Sequence, residues 1–122
     1  MSQTIPAPVQ RLDPGPRASG IVVHDGIAYF TTIPDRPFSG TVADQTRQIL
    51  RRVDERLARL GSSKSRILAT QIWLADIATF AEMNEIWDAW IDPANPPSRA
   101  CAAVTLANPD LKVEMIMTAA VP

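Results

Sequence analysis

Between residues 42 and 98 the spacing of apolar side chains switches from a helix period to a strand period and back, a pattern few architectures can satisfy. Ile49, Leu50, Val53, Leu57 and Leu60 recur at threes and fours with charged residues between them, which predicts a helix over about 42–60. Thr41 with Asp44 offers its N-terminal cap, and Gly61 a left-handed stop. From 67 to 75, Leu68, Thr70, Ile72 and Leu74 alternate on one side, as in a strand. Thr79 and Glu82 form a capping-box pair for a second helix, along which Phe80, Met83, Trp87 and Trp90 make one stripe, and Pro93, Pro96 and Pro97 end it. A strand, a helix and a further strand in succession imply parallel pairing within one sheet.

The flanks complete that sheet. Asp25-Gly26 sits between Ile21-Val22-Val23 and Ile27-Ala28-Tyr29-Phe30, where a type I′ hairpin needs positive φ at both central positions. Pro34, Pro37 and Gly40 mark a loop after it. Two last strands are expected at about 99–107 and 111–121, separated by Asn108-Pro109-Asp110. Residues 1–16 are proline-rich and aperiodic and read as an irregular leader. The predicted order is ββαβαββ, a mixed sheet with two helices on one face in a single domain spanning 1–122. Along the last strand Val113, Met115 and Met117 alternate with Ile116, Thr118 and Ala120, so neither face is clearly polar. An apolar sheet face left without cover points to a homo-oligomer.

Composition narrows the function. A formal net charge of −1 gives no general attraction to nucleic acid or anionic membrane, and neither is expected as a partner. The run Arg51-Arg52-Val53-Asp54-Glu55-Arg56 reads as a solvated helix face. One cysteine, Cys101, and one histidine, His24, leave no disulfide and argue against a metal site of the common His and Cys types. Without a secretory pattern or a membrane-length apolar run, a cytoplasmic location is expected by elimination. Glycine-rich phosphate loops and Ser-His-Asp arrangements are absent.

Three residues stand out chemically. Arg99 follows Pro96-Pro97-Ser98 where a loop enters a strand, and either grips a carboxylate or makes a structural ion pair. Cys101, two residues on, shares its face and is either a small buried hydrophobe or a thiol at a site. Glu114 interrupts Val113-Glu114-Met115-Ile116-Met117, so its carboxylate is either salt-bridged or perturbed and free to handle protons or water. Asn84 interrupts the apolar stripe of the second helix.

Gln45-Thr46, Gly61-Ser62-Ser63, Ile72-Trp73-Leu74-Ala75-Asp76, Phe80-Ala81-Glu82-Met83-Asn84, Pro97-Ser98-Arg99-Ala100-Cys101 and Lys112-Val113-Glu114 together resemble the Rid (YjgF-like, reactive intermediate deaminase) family over about residues 15–121. The resemblance implies an α+β, chorismate-mutase-like fold and a homotrimer with ligand clefts between subunits. It also implies cofactor-free hydrolysis of short-lived 2-imino or enamino acids, such as 2-iminopropanoate and 2-iminobutanoate, to 2-oxo acids and ammonia. Carried over by position, Arg99 would hold the substrate carboxylate and Glu114 would orient the attacking water. Main-chain groups at Arg99 and Cys101, together with Thr31, would line the cleft, with Asn84 in support. The chain departs from the common pattern at Arg17, where many members have an aromatic residue, at Thr31-Thr32 for Ser-Gly, and at Ala103 for an acid. These departures suggest a divergent, YoaB-like branch, with Arg17 as a further substrate-binding candidate. The ribonuclease role attached to look-alikes finds no basic-aromatic interleaving here. A non-catalytic carboxylate-binding trimer, or a protein-interaction or holdase-like module, is the alternative to an enzyme.

Overall fold

The structure, a computed structural model, describes residues 6–122. Its strands are β1 (Val9–Pro14), β2 (Ser19–His24), β3 (Ile27–Thr32), β4 (Ile67–Leu74), β5 (Ser98–Ala103) and β6 (Val113–Ala120), and its helices α1 (Val42–Arg59) and α2 (Phe80–Trp90). They form a six-stranded sheet in the order β1-β2-β3-β6-β4-β5. Every neighbouring pair is antiparallel except β4 and β5, the pair that α2 connects. The mixed α+β sheet is therefore as expected, with one strand more than predicted.

The extra strand is β1, which corrects the irregular leader. Val9–Pro14 holds few apolar side chains, and its ladder to β2 runs from Val9 opposite His24 to Pro14 opposite Ser19. An edge strand built on main-chain pairing leaves little trace in hydrophobic periodicity. The β2–β3 turn is as predicted, with Asp25 at φ 51° and Gly26 at φ 78°.

Helix α1 starts on a complete capping box: Thr41 Oγ1 accepts from Asp44 N at 3.1 Å and Asp44 Oδ2 accepts from Thr41 N at 3.0 Å. Its inner face buries Ile49, Leu50, Val53 and Leu57 against the sheet. Buried Gln45 ties the helix to the β5–β6 connection, donating to Asp110 O at 2.9 Å and accepting from Lys112 N at 2.8 Å. The second capping box does not form. Thr79 Oγ1 donates instead to Asp76 O at 2.6 Å, while Asp76 Oδ1 accepts from Ala78 N and caps a short 3₁₀ turn that runs directly into α2.

Two further expectations shift. A bulge between Ile67 and Ala69 changes the phase of β4, so Ile67, Thr70, Ile72 and Leu74 face the core and Leu68 is exposed. Both late strands are shorter than expected, and β6 lies between β3 and β4, apart from β5. The core collects Val113, Met115, Met117 and Ala119 of β6 beneath the helices. The opposite sheet face, carrying Tyr29, Ile116, Thr118 and Ala120, has no element of the chain packed over it among the described residues.

Candidate functional site

Register decides which site residues can meet within one copy. In the β4–β5 ladder Thr70 lies opposite Arg99 and Ile72 opposite Cys101. Since Thr70 and Ile72 point to the helices, so do Arg99 and Cys101. In the β4–β6 ladder Trp73 lies opposite Glu114, and Trp73 is three residues from Thr70. Glu114 therefore projects from the uncovered face. Thr31, opposite Ile116 and alternating with buried Phe30 and Thr32, joins it there. Arg99 and Glu114 of one chain stand on opposite sides of the sheet.

Arg99 is held by aromatic rings. Its guanidinium carbon lies 5.4 Å from the centroid of Trp87 and 5.8 Å from that of Phe80, both on α2. It forms no ion pair among the described residues. Two orphaned acceptors lie on the elements around it. Thr70 Oγ1, beside Arg99 in the ladder, and Asn84 Oδ1, one helical turn from both rings, are buried without a hydrogen-bond partner. Buried acceptors in that state fit a site that takes a donor from elsewhere. Cys101 is half-buried against the core; burial pushes its thiol pKa up, and the Arg99 charge only partly opposes that. A protonated thiol is a poor nucleophile, and the Cys101 side chain packs against the core. Strand β5 is an edge, with one side of its backbone free of a neighbouring strand among the described residues.

Glu114 is half-buried on the uncovered face, and desolvation raises its pKa. It has no salt bridge among the described residues, since Lys112 Nζ turns instead to Gly40 O. A carboxylate so placed, unpaired among the described residues and partly desolvated, is suited to proton transfer.

Thr31 lines a cavity of about 540 Å³ where β2 and β3 part. Their ladder runs only from His24 opposite Ile27 to Val22 opposite Tyr29, and beyond it the strands separate. Ser19, Thr31, Ile116, Thr118, Arg52 and Arg56 stand in the cavity wall. Ile116 is two positions from Glu114 on the same face, about 7 Å along the strand. Arg17 is exposed in the β1–β2 turn beside Ala18, a further lining residue, and forms no ion pair among the described residues. The two α1 arginines are the residues that sequence reasoning missed. Expected as part of a solvated face, they fold inward onto the main chain of β3 and the loop after it. The usable signal was their position one and three residues from core-facing Val53, four apart on one helix flank. No group of His, Cys, Asp and Glu among the described residues could hold a metal ion, and no helix among them is long and apolar enough to cross a membrane.

A family model described as Endoribonuclease L-PSP matches residues 6–121. The RutC family protein YoaB of Escherichia coli is 38% identical over 113 residues, covering 93% of this chain and 98% of its own. Reactive Intermediate Deaminase A, a chloroplastic protein of Arabidopsis thaliana, is 31% identical over 81% of this chain and 52% of its own length. A crystal structure of NMB1025, described as a member of the YjgF protein family, from Neisseria meningitidis, superposes with a TM-score of 0.88 at 34% identity, covering 94% of this chain and 96% of that one. The chain belongs to the L-PSP family of YjgF-like (Rid) proteins, among its YoaB-like members.

Proposed function

We propose that this chain is a deaminase that hydrolyses short-lived 2-imino or enamino acids, such as 2-iminopropanoate, to 2-oxo acids and ammonia in clefts between the copies of a homotrimer. The family contains proteins named as deaminases, which supports the general reaction. One observation carries the reading: Glu114 is a half-buried carboxylate with a raised pKa and no cation, on the sheet face its own chain leaves uncovered. In a trimer that face and the free edge at β5 would come together, so that Arg99 of one copy approaches Glu114 and Thr31 of the next.

The chemistry then needs little machinery. Arg99, steadied by Trp87 and Phe80, takes the substrate carboxylate in two parallel hydrogen bonds and so fixes the C=N carbon. Glu114 accepts a proton from a water as its oxygen bonds to that carbon. The resulting carbinolamine takes the proton back on nitrogen, the C–N bond breaks as its hydroxyl proton passes to Glu114, and ammonia leaves with the 2-oxo acid. The protonated imine is already electrophilic, so no metal or cofactor enters the scheme. Thr31, Asn84 and the main chain at Cys101 supply polar lining, and Arg17 is a further contact at the rim.

The test is release of ammonia or 2-oxo acid from freshly generated 2-iminopropanoate by the wild type and by Arg99→Ala, alongside sedimentation of the wild type. Turnover that collapses in the variant, from a trimeric wild type, is expected. Equal rates would remove Arg99 from the mechanism, and saturable stabilisation by 2-oxo acids without turnover would leave only a binding protein.

A further inference from the structure

Two guanidinium groups stand in the wall of the cavity between β2 and β3, and neither forms an ion pair with a carboxylate among the described residues. Arg56 Nη1 donates to Thr31 O at 2.6 Å and to Thr32 Oγ1 at 3.1 Å, serving a carbonyl beyond the end of the β2–β3 ladder. Arg52 Nη1 donates to Ile33 O at 2.8 Å and Pro34 O at 3.2 Å. In both, the Nη2 and Nε protons have no partner among the described residues.

The surrounding acids are already engaged or turned away. Asp13, whose charge reaches Arg56, is gripped by Arg59 at 2.5 and 3.1 Å. Asp35 pairs with Arg51, and Asp54 accepts from Trp90 Nε1 at 2.9 Å. Glu55 is exposed on the helix and bridges to no cation among the described residues. Burial, and then the charge of Arg52, hold the Arg56 pKa below the usual guanidinium range. Two positive groups one helical turn apart, one of them partly desolvated, thus face a cavity of about 540 Å³ that Ser19, Thr31 and Thr118 also line. That volume suits a small organic ligand, and the charge suits an acid.

We propose that Arg52 and Arg56 bind a second, distal carboxylate of the ligand, so that the preferred substrates are the imines of dicarboxylic 2-oxo acids. The proposal rests on the deaminase reading in one respect, that Thr31 lies at the same cleft. A ligand whose imino-acid head sits beside Thr31 and Glu114 would reach with its tail into the cavity that Arg56 lines. The two arginines are then specificity residues, acting on the end of the molecule that does not react.

Two oxo acids that share a head and differ at the tail provide the test: 2-oxoglutarate and 2-oxobutanoate, each titrated calorimetrically into the assembled protein. The wild type is expected to bind 2-oxoglutarate about tenfold more tightly, the scale of one charge-assisted pair. Arg52→Gln should lower that ratio severalfold, Arg52→Gln with Arg56→Gln should bring it to about one, and Arg56→Lys should keep part of it. A wild-type ratio near one overturns the proposal, as does failure of both acids to bind. Variants that weaken both acids equally also overturn it, because that is what a purely structural role would give. Binding needs no turnover, so a preserved ratio in a protein that deaminates neither 2-iminopropanoate nor the imine of 2-oxoglutarate would sink the deaminase reading and leave Arg52 and Arg56 as a diacid-binding site. Turnover of 2-iminopropanoate with no preference for the diacid would do the reverse.

Discussion

Strand β6 has two sides that behave as if they belonged to different proteins. Val113, Met115, Met117 and Ala119 are sealed beneath α1 and α2, whereas Glu114, Ile116, Thr118 and Ala120, one residue out of step, face outward half-covered. The inner side is a core whose energy comes from excluding water. The outer side combines apolar residues with a carboxylate that has no cation among the described residues, which makes it a poor free surface and a serviceable interface. One strand therefore stabilises the fold on one side and presents a partly desolvated carboxylate on the other, and the strand period keeps the two sides apart.

The contrast can be broken from either side. Met115→Ala, at a position with no exposure, should cost about 2–5 kcal/mol of unfolding free energy in a urea titration. Glu114→Gln should lower kcat for imine hydrolysis at least about a hundredfold, the usual scale for a general acid-base group. Its effect on stability should be opposite in sense. Because the fold raises the Glu114 pKa, the native chain holds that proton to higher pH than the unfolded chain does. The stability this group contributes is full below the ordinary carboxyl range and is lost as pH rises through the raised value. Glu114→Gln should therefore melt no lower than the wild type at pH 7, with a flatter dependence of melting temperature on pH above the ordinary carboxyl range. Ile116→Asp, which places a charge on the same side, should leave the monomer fold intact by circular dichroism while shifting sedimentation toward monomer. Cys101→Ala should be the mildest change, within about 1.5 kcal/mol in stability and with turnover retained, since its thiol is protonated and half-buried.

Sequence periodicity was sufficient wherever local chemistry decides the backbone. The Asp25-Gly26 turn and the Thr41–Asp44 cap are short-range devices, and both form as read. It fell short where a distant partner decides. The β1 ladder is made by main-chain pairing to β2, the bulge at Leu68 is set by registration against β6, and Asp76 outcompetes Thr79 as a cap because a 3₁₀ turn precedes α2. The candidate site divides the same way. Arg99 and Glu114 were legible as residue types out of place in their strands, but not that they leave opposite faces of the sheet. Arg52 and Arg56 were hidden in an alternating charge run, because only the parting of β2 from β3 creates the carbonyl that draws Arg56 inward.

The arrangement in trans can be measured by subunit complementation. Arg99→Ala and Glu114→Gln, each nearly inactive alone, are unfolded together and refolded as a random mixture. If each cleft takes its arginine from one copy and its acid from the next, about a quarter of the clefts in a one-to-one mixture hold both native groups, and a matching share of wild-type turnover should return. A mixture no more active than the sum of its two parents would contradict the shared cleft.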